Sequence, residues 1–361
     1  MSKAAELAAL IGSQTALSNR NLVINGAMQV AQRATSVASV SSSGVYRTVD
    51  RFFNDLGSSG TFTVSQASDG PTGFANSFKL DCTTADASPN YHLFLQKIEG
   101  QNLQQIAKGT SSAQPITLSF YVKSNKAGTY SVNARDRDND RFCYKSYTID
   151  SANTWERKSV TFPADTTGAL DDDNANSMDI EWWVAAGSTY NSGTTTGAWG
   201  SNVNANRAAA NTVNIGTSTD DEWLITGIQL EIGEQATPFE HRSFGDELQK
   251  CQRYFCKTYN YSDAIGTIGS GYWTWTKTTS QRWHIPLYQG HGMRGTPTIV
   301  AYNATTGTTG QYRNASDGTN HTVGTFEATE NTLHIDENAG NWNNLGGGKV
   351  GRMFVTADSE L

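Results

Sequence analysis

Ile116-Thr-Leu-Ser-Phe-Tyr-Val122 decides the fold class. Apolar and polar residues alternate along it, which puts one set on each face of a pleated strand. The same pattern recurs in Tyr130-Ser-Val-Asn-Ala134, Arg157-Lys-Ser-Val-Thr-Phe162, Met178-Asp-Ile-Glu-Trp-Trp-Val184 and Glu222-Trp-Leu-Ile-Thr-Gly-Ile-Gln-Leu230. Turn residues separate these runs, as in Asp69-Gly-Pro71, Lys126-Ala-Gly128 and Asp150-Ser-Ala-Asn153. Strands repeated in this way, with no helices between them, predict antiparallel sheets packed face to face, and a jelly roll is the natural closure. The expected class is all-β.

Composition agrees. Only 17% of the 361 residues are charged and 37% are hydrophobic, so Gly, Ser, Thr and Asn fill the difference. Those polar side chains compete with helical hydrogen bonds and favour turns. A net charge of -7 offers nothing to a phosphate backbone and argues against nucleic-acid binding. No apolar run is long enough to span a membrane. The N-terminus lacks the layout of a secretion signal, so synthesis and folding in a cytoplasm are expected. Cys82, Cys143, Cys251 and Cys256 contain no CxxC and are read as small buried apolar residues in a reducing compartment.

The organisation expected is a jelly-roll β-sandwich, a connector helix and a second, smaller β-sandwich, preceded by a short N-terminal helix. Residues 1–20 form an anchoring helix and linker, with Leu7, Leu10 and Ile11 on one stripe. So short a helix is marginal alone and is expected to dock on a neighbouring subunit or another protein. Residues 21–242 form the jelly roll. The connector helix, 243–258, carries Phe244, Leu248, Cys251 and Phe255 on one face, with Asp246 and Glu247 opening it. Residues 259–361 form the C-terminal sandwich. In it Tyr272-Trp-Thr-Trp-Thr276 and Arg282-Trp-His-Ile-Pro-Leu287 read as a hairpin. The long 186–220 segment, rich in Gly, Thr, Asn and Ala, reads as a functional or partner-held loop.

Several stretches resemble a known family. Asn21-Leu-Val-Ile-Asn-Gly-Ala-Met-Gln-Val-Ala-Gln-Arg33, followed by Tyr46 and Asp50-Arg-Phe52, resembles the opening of phage tail-fibre and minor tail proteins, especially those of marine phages. Gln229-Leu-Glu-Ile-Gly233, Ala236-Thr-Pro-Phe-Glu240 and Cys251-Gln-Arg-Tyr-Phe255 resemble their closing signature, and Met293-Arg-Gly-Thr-Pro-Thr298 the opening strand of their C-terminal domain. The resemblance implies a carbohydrate-binding-module-like jelly roll on a virion, assembled as a homotrimer. It names no catalytic residues.

Chemical motifs are sparse. The histidines are scattered and none has zinc-site spacing, so no metal is expected. Asp136, Asp138 and Asp140 alternate like a calcium loop, but Arg141 and Tyr147 stand where an EF-hand needs Gly and Glu. Interleaved arginines offer a simpler neutralisation, although a loop calcium stays open. Glu181 and Glu222 could in principle form a hydrolytic acid pair, but nothing local supports it. No enzyme activity, catalytic residue or cofactor is expected.

Aromatic residues are the better lead, because sugars stack their C–H faces on exposed rings. Trp182 and Trp183 are adjacent in a strand and face opposite sides, so one is core and the other needs a cover or a ligand. Tyr190 and Trp199 lie in the long loop. Trp183, Tyr190 and Trp199 are therefore the candidate ligand residues, with contact to a neighbouring subunit as the competing role for the last two. The function expected is a tail-fibre-like virion protein that attaches to a host-surface glycan or receptor. The alternatives are an architectural capsid-fibre, decoration or tail-adaptor protein without receptor contact, and a polysaccharide-degrading spike.

Overall fold

The structure is a computed structural model that describes residues 19–42, 44–269, 271–278, 282–287, 292–336 and 340–361. The helix expected within residues 1–20 lies outside the described residues. The chain divides into two compact units. One holds the residues before Gln32, Ser36–Ser243 and Leu361, and the other holds Gln32–Thr35 and Phe244–Glu360.

In the first unit the alternating runs form strands. These are β1 (Ser36–Val40), β2 (Val45–Tyr46), β3 (Phe52–Gly57), β4 (Thr61–Ala67), β5 (Ser77–Thr84), β6 (Tyr91–Glu99) and β7 (Ile116–Ser124). They continue as β8 (Gly128–Asp136), β9 (Arg141–Ile149), β10 (Glu156–Phe162), β11 (Asn176–Ala186), β12 (Trp199–Ser201) and β13 (Glu222–Ile232). One sheet runs β1-β4-β5-β13-β7-β10 and the other β12-β9-β8-β11-β6-β3-β2. Every pairing is antiparallel, and the chain passes repeatedly from one sheet to the other, giving a jelly-roll sandwich. Period-two alternation sends Leu118, Phe120 and Val122 inward with Ile180, Trp182, Trp223 and Ile225. Phe94, Phe120 and Trp182 meet at ring separations of 5.7–5.8 Å, and Trp223 Nε1 donates to Tyr147 Oη (3.2 Å).

The opening segment laces this sandwich together. Asn21 Oδ1 accepts from the amides of Val23 and Leu230, while its Nδ2 donates to Ile228 O. Gly26 lies so close to β13 that a Cβ there would stand 2.0 Å from Ile228 O. Beside it Arg242 pairs with Glu240 (3.3 Å), and Glu240 Oε2 accepts from the Asn21 amide (2.9 Å). Phe239 is half-buried against Phe74 and His241.

The second unit departs from expectation in two places. Its helix spans Phe244–Gln252 only, and Phe255–Lys257 is a strand, β14, paired with a long final strand. Burial of Phe255 and Cys256 against that strand outweighs the local helical pattern. The two tryptophan runs form no hairpin. β15 (Trp273–Thr276) pairs with the final strand, whereas β16 (Arg282–His284) pairs with a strand at Leu333–Asp336. Each run finds its partner far along the chain, a choice that short-range periodicity does not encode. The remaining strands are β17 (Thr298–Asn303), β18 (Gln311–Asn314), β19 (Asn320–Thr322), β20 (Phe326–Ala328), β21 (Leu333–Asp336) and β22 (Val350–Asp358). They make a six-stranded sheet centred on β22 and a three-stranded sheet β16-β21-β20. Trp275, Ile285 and Leu287 still share one core, with Trp273 and Trp283 packed on its margin. All four cysteines are free thiols and buried.

One core group makes stability depend on pH. His92 is buried inside the sandwich, with Nε2 against Asn54 Oδ1 (2.8 Å) and its ring edge-on to Phe62. Burial lowers its pKa from 6.5 to about 3. Between those values the unfolded chain holds a proton that the native state refuses, so stability is lost as pH falls below 6.5. Urea unfolding of wild type should lose about 2 kcal/mol more between pH 7 and pH 5 than His92→Leu does. Parallel losses would remove His92 from the account.

Candidate functional site

The outer face of the seven-stranded sheet carries an unusual density of rings and charges. Register sets them in cross-strand rows. Trp183 stands level with Ser131 on one side and with Leu93, then Asp55, on the other. The next row reads Tyr144, Asn133, Glu181, Leu95 and Phe53, and the row below brings Phe142, Arg135, Asp179 and Lys97 together. Alternation in β3, β6 and β11 produces this face just as it produces the core.

Residues 187–215 form a strap that crosses part of the face, apart from β12, which joins the sheet edge, and Ile215, which enters the sandwich core. A short helix, α1 (Ser188–Asn191), opens it. The Gly187 amide donates to Asn90 O, Ala208 to Tyr190 O, Thr212 to Thr129 O and Ile215 to Val184 O. Asn211 accepts from Ser131 N through Oδ1 (2.6 Å) and donates from Nδ2 to Trp183 O (3.1 Å). The expected loop is therefore a hydrogen-bonded layer. Trp183, Leu93, Leu95, Ala186 and Ala208 form a small apolar cluster beneath it, with Phe53, Tyr91 and Tyr190 at the margin.

Arg207 is the centre of the strap. Its Nη2 lies 2.9 and 3.1 Å from the two oxygens of Glu181. Its guanidinium sits 4.7 Å from the Trp183 ring centroid and 5.2 Å from that of Phe142. Trp183 Nε1 in turn donates to Glu181 Oε2 (3.1 Å). A guanidinium stacked between rings and tied to a carboxylate keeps its charge out of water without leaving it unpaired.

At the strap's rim the groups reach solvent. Tyr190 is half-buried, 5.1 Å from Trp183 and edge-on to Tyr91 at 5.5 Å. Tyr91 Oη donates to Asp55 Oδ1 (3.3 Å). Phe53 lies beside it in the sheet, with Lys97 Nζ 4.4 Å from its ring centroid. Burial lifts the Asp55 carboxyl above its ordinary range against the Tyr91 hydrogen bond, and the charge on Glu181 adds to the rise. Burial, with the same charge, pushes Asp179 up to about 6.

Of the three residues expected to bind a ligand, two are brought together. Trp183 is fully buried, its outer side covered by Tyr190 and Arg207, so it takes the cover rather than a ligand. Tyr190 stands over it at the rim. Trp199 lies elsewhere, in β12 beside Cys143, with Nε1 donating to Pro163 O (2.8 Å). Residues missed in the sequence are Arg207, Asp55, Phe53 and Tyr91. The last three could have been found from alternation, since Phe53 and Asp55 occupy the outward positions of β3 and Tyr91 that of β6.

The acid pair does not form. Glu181 belongs to the seven-stranded sheet and is held by Arg207, whereas Glu222 belongs to the other sheet and pairs with Lys79 (2.7 Å). The Asp136 run is also accounted for. Lys108 Nζ lies 2.5 Å from Asp136, 3.1 Å from Asp165 and 2.9 Å from each of the Thr167 and Gly168 carbonyls. Its ammonium thus takes Oδ2 of Asp136, while Oδ1 accepts from the Asn139 amide (3.0 Å). Among the described residues no three His, Cys, Asp or Glu side chains gather as a metal site.

No protein-family model matches the chain, and no curated protein matches it. Among solved structures it is similar to the enzymatically active domain of tailspike protein 4 of bacteriophage CBA120, at 13% identity and a TM-score of 0.33 over 59% of this chain. The chain spans only 22% of that protein's length. It is also similar to the family 11 carbohydrate-binding module of Clostridium thermocellum in complex with a β-1,3-1,4-mixed-linked tetrasaccharide (14% identity, TM-score 0.29, 56% of this chain and 99% of that one). A third likeness is to TmCBM61 in complex with β-1,4-galactotriose (10% identity, TM-score 0.31, 60% of this chain and 100% of that one). Likenesses at this level leave ligand and assembly to this chain's own chemistry.

Removing the strap's central cation should be costly. Arg207→Ala leaves Glu181 buried without its ion-pair partner and opens the Trp183 ring, so denaturant unfolding should show a loss of about 3–5 kcal/mol. A loss below about 1 kcal/mol, the range of a surface ion pair, would mean the strap is not a structural layer.

Proposed function

We propose that the protein is a non-enzymatic, tail-fibre-like component of a phage virion that attaches to glycans of the host surface. The observation that carries this reading is the rim of half-buried rings, Phe53, Tyr91 and Tyr190, set around the Asp55 carboxylate on a sheet face. Rings open on one side offer stacking surfaces for sugar C–H faces, and a carboxylate beside them accepts from hydroxyls. The tail-protein resemblance of residues 21–33 and 229–240 supports a place on the virion, with a homotrimer as the expected assembly and the N-terminal segment as the anchor to other virion proteins. The fixed partners of Glu181 and Glu222 support binding without hydrolysis.

A second reading is an architectural fibre, decoration or adaptor protein with no receptor contact. The closed cover over Trp183 favours it, since the largest ring on the face is spent on packing.

Binding to an array of neutral β-linked gluco- and galacto-oligosaccharides separates the two. The attachment reading predicts retention of at least one oligosaccharide, weakened tenfold or more by Asp55→Asn with the melting temperature little changed. No retention, together with a monomeric mass by light scattering, would contradict it and leave the architectural role.

A further inference from the structure

The second unit holds a cavity of its own. It lies between β17 of the six-stranded sheet and β20 of the three-stranded sheet. β17 is joined to β22 along one side, and Ala301 and Asn303 are met on the other by Gly310 and Thr308, which leaves the start of the strand open. β20 is the outer strand of the three-stranded sheet. Between them is a cavity of about 450 Å³, lined by Thr296, Ile299, Thr309, Thr325, Phe326 and Ala328 among others. That volume falls within the ~300–1,000 Å³ of small-molecule sites.

Its walls are held from behind. The Val323 amide donates to Gly310 O (2.9 Å), which ties the two loops that flank the opening. Asn341 Nδ2 donates to Val323 O (3.2 Å) and Trp342 Nε1 to Thr325 O (2.9 Å). Gly324 allows the buried Trp342 ring to lie directly beneath, since a Cβ there would stand 2.5 Å from it. The cavity is therefore pre-formed, and a ligand meets little ordering cost on entry.

The lining selects a chemical class. It has no ionisable side chain, so a charged ligand would shed water with no counter-charge to replace it. Thr296, Thr309 and Thr325 are exposed, and their hydroxyls make no hydrogen bond among the described residues. A purely apolar ligand would cover them without satisfying them. Phe326 is half-buried, and with Ile299 and Ala328 it offers an apolar surface beside those hydroxyls. A ring with one C–H face and a rim of hydroxyls matches both halves of this surface.

We propose that this cavity is a binding site for a neutral monosaccharide or a terminal neutral sugar, separate from the strap-covered face of the first unit. The sugar's C–H face rests on Phe326 and its hydroxyls reach Thr296, Thr309 and Thr325.

The test is a methyl-detected NMR titration of the full chain with D-glucose, D-galactose, D-mannose and N-acetyl-D-glucosamine, each taken separately into the millimolar range. The methyls of Ile299, Val323 and Ala328 report this cavity, and those of Leu93 and Ala208 report the face of the first unit, so either site can fail without the other. At least one sugar should give saturable shifts at the cavity methyls, with a Kd of about 0.1–10 mM. Phe326→Ala should weaken it tenfold or more. Thr325→Val, which keeps the shape and removes only the hydroxyl, should weaken it severalfold, so the outcome does not hang on the larger truncation. The proposal is overturned if no sugar saturates, if sodium glucuronate shifts the same methyls as strongly, or if neither variant changes the affinity. It is also overturned if only an extended peptide shifts them, which would make the two edges a strand-pairing site.

Discussion

Two adjacent tryptophans in one strand demand two covers. Trp182 and Trp183 follow each other in β11, point to opposite faces of the seven-stranded sheet and are both fully buried. Each ring buries roughly 150–250 Å², several kcal/mol of hydrophobic stabilisation at about 25 cal/mol per Å². A simple two-sheet sandwich covers one of them. Here the six-stranded sheet covers Trp182, and Tyr190, Arg207 and Ala208 of the strap cover Trp183 as a third layer.

An ion pair adds to the strap's hydrogen bonds, at the cost of desolvating its charges. Arg207 is stacked on Trp183 and Phe142 and paired with Glu181. Hydrophobic replacements of similar volume could serve stability equally well. What the ions add is direction, because a guanidinium finds its carboxylate and its ring faces in one arrangement only. A Gly/Thr/Asn-rich strap has little side-chain volume with which to specify its own path, and Arg207 supplies that path.

The core was largely legible in the sequence and the strap was not. Period-two alternation in 116–122, 130–134, 178–184 and 222–230 identified the strands and their inward residues, and the Trp182–Trp183 adjacency announced that the second face needed something over it. What covers it depends on a pairing between Glu181 and Arg207, 26 positions apart and across a segment without periodicity, where local patterns carry no information. The same limit explains the second unit. Trp273–Thr276 and Arg282–His284 read as each other's partners because they are near in sequence, yet they pair with β22 and β21. The shortened helix has the same origin, since Phe255–Lys257 gains more from pairing with β22 than from another helical turn.

A sheet face that is half covered and half open can serve as a contact surface only if the cover stays in place and defines the rim. Hydrogen–deuterium exchange at the strap amides tests this directly. Those of Ala208, Thr212 and Ile215 donate to Tyr190, Thr129 and Val184. A structural third layer predicts that they exchange as slowly as amides of β11 and β6, far below the unfolded-chain rate. Exchange at the unfolded rate, with β11 and β6 still protected, would mean that Trp183 is open much of the time and that the layered account of this face is wrong.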